Sequence, residues 1–268
     1  GSGPPTQTLA VVANVHTTSY WRLQMSGLAL HASPHYATHI FVSPSVARLD
    51  LSLPAHAAAL RVHVHPAVMA KRRGSGTLFR GIMAALALAR TTLGDALDIV
   101  LVCSARTVLV RPLAPPVWIT APVAAPNGSQ VHVTDWKMGA APWLWAYTLA
   151  TRLRAVAPTA VAGLHEGLLF RAEVLPRWLR YEEEQPEIFS ELYAAEFAAE
   201  EFAPWTLLDL LGGTYTTVLA PREYPGLEVD PLVPSCGAAI RVLGYVYEYL
   251  FQLQAHRVRQ RVAELTGA

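Results

Sequence analysis

Two adjacent carboxylates, Glu200 and Glu201, stand shortly before Pro204. Proline is tolerated in the first turn of a helix, so both side chains are expected in the opening turn of one. A carboxylate held there could act as a general base that takes the proton of a reacting hydroxyl. Acidic residues also favour helix N-termini because of the helix dipole, so a purely structural role stays open.

The tripeptide His165-Glu166-Gly167 is a second candidate, because it follows a strand-like run and precedes a predicted helix. Gly167 would allow the backbone to approach a ligand closely. Glu166 could serve as the base or hydrogen-bond substrate hydroxyls, and His165 could contact the substrate beside it. The alternative is a polar loop whose histidine caps a helix. We favour the functional interpretation, since the tripeptide lies between two apolar stretches.

A cation follows the most apolar strand predicted in the chain, where the sequence reads Ser104-Ala105-Arg106. The planar guanidinium of Arg106 could bind a phosphate through two parallel hydrogen bonds. An ordinary surface turn is the alternative. Lys71, within the basic run 71–73, and Arg222 are further candidates for phosphate binding, and we rank the basic run below Arg106.

His63 and His65 alternate on a predicted strand, so both imidazoles should face one side. Such a pair is a metal-ligand pattern in several hydrolases. A metal site would need further His or Asp ligands at the ends of later strands. The strand at 98–102 is instead followed by Cys-Ser-Ala-Arg, which makes the metal site the weaker hypothesis.

The elements that would position these residues follow from the apolar periodicity. Strands are predicted at 8–15, 39–43, 60–65, 98–102, 108–110 and 131–134, and helices at 21–32, 77–93, 143–157, 172–180, 186–199, 205–211 and 238–265. This order predicts an α/β fold, a mostly parallel sheet flanked by helices with a helical C-terminal part. We expect a single domain over 4–268, with residues 1–3 a cloning remnant. Such sheets bind ligands beyond the carboxyl ends of their strands.

The composition of the chain argues against two classes of partner, nucleic acids and membranes. The chain of 268 residues is 52% hydrophobic and 15% charged with a net charge of +1, which gives no electrostatic basis for nucleic-acid binding. No apolar stretch is long enough to predict a membrane span. The two cysteines, Cys103 and Cys236, form neither a disulfide framework nor a zinc site, and Cys103 is expected in the core.

The layout of 98–113 is similar to that of GT-A glycosyltransferases, in which a helix leads into a buried strand that carries an Asp-x-Asp metal motif and is followed by a short strand. Ser104-Ala105-Arg106 stands at the motif here. The chain thus resembles the metal-independent core-2/I-branching N-acetylglucosaminyltransferases and peptide xylosyltransferases, glycosyltransferase family 14. Their first strand ends in a histidine, as at His16, and their Asp-Glu-x-x-x-x-Thr-Leu stretch matches 200–207, with Glu200 in place of Asp.

The resemblance implies a GT-A-like fold and an inverting, metal-independent transfer from a nucleoside-diphosphate sugar to a hydroxyl of a glycan or glycoconjugate, and a UDP-linked donor is expected. It makes Glu201 the base and calls for no metal or other cofactor, while Glu166, considered above from the residues alone, is the alternative base. The expected substrate-binding residues are His16, Lys71, Ser104, Arg106, Trp136, His165, Glu200 and Arg222.

Two other functions stay open. Loss of the acidic motif is also compatible with a catalytically inactive sugar-binding module, and His63 with His65 would suit a metal-dependent hydrolase. The compartment is open as well: the Golgi lumen if the chain was trimmed from a eukaryotic enzyme, otherwise the cytoplasm.

Overall fold

A computed structural model describes most of the chain. The described residues are 7–15, 21–45, 49–70, 75–104, 107–109, 111–113, 131–133, 147–158, 160–162, 165, 167–219 and 235–241. All structural statements below concern these residues.

Ten strands form two sheets. The strands are β1 (Gln7–Val15), β2 (Tyr36–Pro44), β3 (Arg61–Val64), β4 (Ile99–Ser104), β5 (Thr107–Leu109), β6 (Val131–Val133), β7 (Ala160–Ala162), β8 (Leu168–Arg171), β9 (Tyr215–Leu219) and β10 (Ser235–Arg241). The main sheet has the order β3-β2-β1-β4-β8-β9-β10-β5, and β6 pairs with β7 in a second sheet. Strands β3, β2, β1 and β4 are parallel to one another, whereas β8 runs antiparallel to both β4 and β9.

Six α-helices accompany the strands. They are α1 (Trp21–His31), α2 (Gly76–Leu93), α3 (Thr151–Val156), α4 (Leu175–Glu184), α5 (Pro186–Ala194) and α6 (Ala199–Leu210). Single 3-10 turns lie at Ala55–Ala57, Gly94–Ala96 and Ala172–Val174. Within the described ranges, no helix is both long and apolar enough to cross a membrane.

The central strands β1, β2 and β4 are buried on both faces, as strands of parallel sheets usually are. Side chains alternate along β1: Leu9 and Val11 pack in the cluster that includes α1, whereas Ala10 and Val12 face the cluster that includes α2, α4, α5 and α6. Along β4, all six residues are buried. The two-sided burial fixes the register of the strands and thereby the position of the residues at their ends.

The N-terminus of α2 lies directly against the end of α5. The backbone N–H of Gly76 donates to the carbonyl of Ala195 across 2.9 Å. A Cβ at Gly76 would overlap the backbone carbonyl of Leu192, so only glycine allows this approach.

The structure confirms the α/β class and a mostly parallel sheet flanked by helices. It also confirms α1, α2 and β1 to within a residue of the predicted bounds, and the burial of Cys103, which is 2% exposed. The five residues predicted to form the buried face of α2 (Leu78, Ile82, Ala85, Leu86 and Ala89) are all in the core.

Several predicted elements differ. The helix expected from 238 was wrong at its start, because Ser235–Arg241 forms β10, where hydrogen bonds to β9 and β5 outweigh the helix propensity of Ala238 and Ala239. Strands β8 and β9 were not predicted, and β7 corresponds to the strand-like run expected before His165. Helix α6 begins at Ala199 rather than at 205, and α5 ends at Ala194 rather than at 199. Of the helix predicted at 143–157, residues 147–157 are described; 147–149 are helical, and α3 follows after Ala150.

Candidate functional site

The predicted functional residues Ser104, His165 and Glu201 lie at the end of the main sheet where its parallel strands finish, which is called the carboxyl edge below. The four parallel strands end at this edge, and β8 begins there because it runs in the opposite direction. The backbone N–H of Gly167 donates to the carbonyl of Val102 in β4 across 2.8 Å. The turn that precedes β8 therefore lies beside the last residues of β4.

Glycine is required in this turn. Gly167 has a φ of 113°, a left-handed conformation that side chains rarely adopt. The carbonyl of His165 accepts the backbone N–H of Leu168 across 3.2 Å, which closes the turn onto β8. These two contacts fix the backbone of His165 at the carboxyl edge of β4.

Glu201 reaches this turn from the first turn of α6. Its Oε2 accepts the backbone N–H of His165 across 2.9 Å, and its Oε1 lies 3.4 Å from Nδ1 of the same residue. Both residues are buried, with His165 4% and Glu201 8% exposed. A buried carboxylate needs such partners, because desolvation without them would be costly. The predicted loop and the predicted helix start thus form one carboxylate–imidazole unit.

Ser104, the last residue of β4, is held by a residue that the sequence analysis missed. The side-chain amide of Gln24 in α1 donates to the carbonyls of Ser104, across 2.7 Å, and Thr107, across 3.0 Å. The backbone N–H of Ser104 also donates to Oγ1 of Thr107, 3.2 Å away. Gln24 is 1% exposed, and among the residues that the structure describes its Oε1 has no hydrogen-bond partner. The end of β4 and the start of β5 are therefore held by the same buried amide.

A signal for Gln24 was present in the sequence. It shares the helical stripe of Trp21, Met25 and Leu28, which are all buried. A polar residue on an otherwise apolar stripe predicts a buried hydrogen-bonding role.

The remaining predicted site residues divide into two groups. Glu200 is buried beside Glu201 in the first turn of α6, with 3% of its surface exposed. Six others lie outside the described residues: His16, Lys71, Arg106, Trp136, Glu166 and Arg222. Their roles stay predictions.

The histidines considered for a metal site are engaged separately. Nε2 of His63 lies 3.1 Å from Nδ1 of His39 in β2, and the His63 ring stacks on Phe41 with 4.7 Å between centroids. His65 lies after the end of β3, where its Nδ1 accepts the backbone N–H of Ala67 across 3.1 Å. In the described part of the chain, no three His, Cys, Asp or Glu residues form a group that could hold a metal ion.

Burial affects the protonation of the histidine pair. Desolvation, then the neighbouring His63 and Arg61, lowers the pKa of His39. Desolvation, then Arg61, lowers the pKa of His63. Both imidazoles are therefore favoured in the neutral form, which suits the hydrogen bond between their ring nitrogens.

A surface cavity of about 570 Å³ lies at the opposite edge of the sheet, beside the first residues of β1 and β4. Its polar lining includes Arg90 and Asp95, which form an ion pair of 2.9 Å, and Asp98, whose carboxylate accepts the backbone N–H of Thr8. These charges are paired with each other or with the backbone. The cavity is separate from the His165–Glu201 unit.

A scan against protein-family models finds no match for the chain, and a search of curated proteins finds no similar sequence. The functional argument therefore depends on the residues themselves. A carboxylate held against an imidazole is an arrangement suited to proton transfer, because one group can orient and charge-stabilise the other.

Proposed function

We propose that this chain is an inverting, metal-independent glycosyltransferase, which moves a sugar from a nucleoside-diphosphate donor to a hydroxyl of a glycan. The observation that carries the proposal is the buried contact between Glu201 and His165 at the carboxyl edge of the sheet. Open α/β sheets bind their ligands beyond this edge. Two residues expected from the sequence to act on a substrate thus meet where a substrate would be bound.

The arrangement of the sheet also supports the proposal. Helix α2 leads into the fully buried β4, and the short β5 follows after two residues. This is the layout that GT-A enzymes use to present the donor diphosphate. A GT-A assignment extends the α/β class and rests on the sequence resemblance. At the position of the metal motif, β4 ends in Ser104, whose backbone is held by Gln24 and Thr107.

The chemistry requires a base and a stabilised leaving group. In an inverting transfer, the acceptor oxygen forms a bond to the anomeric carbon while the bond from that carbon to the diphosphate breaks. The Glu201–His165 pair takes the acceptor proton. Arg106, with Lys71 and Arg222, neutralises the diphosphate that departs with the bonding electrons, a role inferred from the sequence alone.

One observation favours a second function, the catalytically inactive sugar-binding module. Glu201 is 8% exposed and its Oε2 already accepts the N–H of His165, which is how a structural carboxylate behaves. In that case the donor would bind but would not be consumed.

Transfer assays with purified protein separate these functions. The protein is incubated with a panel of nucleotide sugars and glycan acceptors, and transfer and donor hydrolysis are measured in EDTA and in manganese. We expect activity in EDTA that Glu201→Gln abolishes and that Glu184→Gln, an exposed control on α4, retains. Full activity of Glu201→Gln would refute the role of the pair. Activity that is lost in EDTA and restored by manganese would refute metal independence, and binding without turnover would identify the inactive module.

A further inference from the structure

The side-chain amide of Gln24 joins the end of β4 to the start of β5. Its Nε2 donates to the carbonyl of Ser104, the last residue of β4, across 2.7 Å, and to the carbonyl of Thr107, the first residue of β5, across 3.0 Å. An amide group has two N–H donors, so both are used here. The opposite orientation would place the amide oxygen against two carbonyl oxygens, which fixes the position of the nitrogen.

A third hydrogen bond connects the same residues. The backbone N–H of Ser104 donates to Oγ1 of Thr107 across 3.2 Å. Gln24 and Thr107 are both buried, so water does not compete for these bonds. Without the amide, the carbonyls of Ser104 and Thr107 would lose these donors, and the strand end would have to move or admit water to replace them.

The bonded strand end lies where a sheet of this kind binds its ligands. Strands β1 and β4 are parallel neighbours, and Asn14 pairs with Ser104 at their carboxyl ends. After β1 the chain forms α1 on one face of the sheet, whereas α2, which precedes β4, packs on the other face. Open α/β sheets bind ligands at such a point, where the connections change face. Gln24 thus ties α1 to the strand end at this point.

We propose that Gln24 is a positioning residue of the donor site, which holds the carboxyl end of β4 in the place where the donor diphosphate binds. The inference rests on the proposed function, in which Ser104 stands at the position of the metal motif. Gln24 itself does not touch the substrate. Its bonds keep the backbone of Ser104 fixed relative to α1, so the diphosphate meets contacts that are already in place and does not have to order them on binding.

Kinetics of the transfer reaction separate this role from a purely structural one. Gln24→Met removes both donors at nearly the same volume. We expect the donor KM to rise about tenfold or more, with kcat within about threefold and the acceptor KM unchanged, because a diphosphate is bound in the ground state and the transition state alike. Val174→Ala, buried at the opposite edge of the sheet, is the control for lost stability and should keep the parent donor KM.

A milder pair of variants keeps the test decisive if Gln24→Met does not fold. Thr107→Val removes the hydroxyl that accepts the N–H of Ser104, whereas Thr107→Ser keeps it. We expect Thr107→Val to raise the donor KM and Thr107→Ser to stay closer to the parent protein. An unchanged donor KM in Thr107→Val would overturn the inference.

Calorimetric titration with ADP, CDP, GDP, UDP and dTDP repeats the comparison without turnover. The diphosphate that the parent protein binds should bind Gln24→Met about tenfold more weakly and Val174→Ala as tightly as the parent protein.

The outcomes distinguish the two proposals. If the parent protein transfers sugar and Gln24→Met keeps its donor KM, or shares its rise with Val174→Ala, Gln24 is structural only and the proposed function stands. If the parent protein binds no diphosphate and no nucleotide sugar, both proposals fail.

Discussion

The backbone N–H of His165 donates to the carboxylate of Glu201 across 2.9 Å, although 36 residues separate the two in the chain. This bond connects the turn before β8 to the first turn of α6. Because the same turn is bound to β4 through Gly167 and Val102, the contact joins three elements at one edge of the sheet. Its consequences for stability can be measured independently of any activity.

Removing the Glu201 side chain should destabilise the fold more than changing its charge. Glu201→Ala leaves the buried N–H of His165 without its acceptor, which costs about 1–3 kcal/mol. Glu201→Gln keeps an acceptor oxygen and should lose less than Glu201→Ala. Urea unfolding of both variants, with Glu184→Gln as the exposed control, measures the difference. Equal stability of Glu201→Ala and the parent protein would show that the contact does not form.

Replacing the buried amide of α1 should also be costly. Gln24→Leu removes both hydrogen bonds to the carbonyls of Ser104 and Thr107, so a loss of about 2 kcal/mol in the free energy of unfolding is expected. Arg22→Ala on the same helix breaks an exposed ion pair with Asp50 and an exposed hydrogen bond of 3.4 Å to Ser52, and should change stability by less than about 1 kcal/mol. Chemical denaturation compares the two. Similar losses in both variants would contradict the assigned role of Gln24.

The contact between α2 and α5 predicts a strong effect of one methyl group. Gly76→Ala places a Cβ against the carbonyl of Leu192, so backbone must move, and a loss of about 1–3 kcal/mol is expected. Thr92→Ala, at an exposed position of the same helix, should stay within about 0.5 kcal/mol of the parent protein. Thermal unfolding of the two variants is the measurement. A Gly76→Ala protein as stable as the parent would contradict the close approach.

The histidine pair predicts a loss of stability in weak acid. Burial lowers the folded-state pKa of His39 and His63 below the ordinary value of 6.5, so the unfolded chain takes up protons first as the pH falls. The contribution of the pair to stability is therefore present above about pH 6.5 and declines below it. Unfolding midpoints measured between about pH 5 and pH 8 should vary less in His39→Gln or His63→Gln than in the parent protein. The exposed Thr92→Ala, which removes no titratable group, is the control, and a pair variant with the same pH dependence as this control would refute the prediction.

Local sequence patterns predicted the first half of the fold well. Strands β1 and β4 contain continuous apolar runs, β2 contains the apolar stretch Ile40–Val42, and α2 has a complete apolar stripe followed by Gly94, so each pattern indicates a single structure. Strand β10 has the sequence SCGAAIR, in which small residues give no strand signal. Its conformation depends on pairing with β9 and β5, which are distant in the chain. Pairing between strands that are distant in the chain leaves no periodic pattern in the sequence from which it could be predicted.

The sequence predicted which residues belong to the candidate site, but it did not predict which of them are in contact. Glu201 was expected in the first turn of a helix, as the structure has it, whereas His165 was expected between a strand-like run and a helix and instead precedes β8. Their contact depends on how α6 packs across the sheet, which no local pattern specifies. Gln24 was missed because a buried amide and an exposed one look alike unless the helical stripe is examined.

Binding of a nucleotide tests the central claim most directly. The parent protein is heated in EDTA with a panel of nucleoside diphosphates and nucleotide sugars, each against its nucleoside. A ligand at about 100 times its dissociation constant adds about 2.7 kcal/mol, enough to raise the Tm by about 5 °C or more. We predict such a rise with one nucleoside diphosphate and with its sugar, and none with the nucleoside at the same concentration. No rise with any member of the panel would contradict the assignment of this chain as a nucleotide-sugar glycosyltransferase.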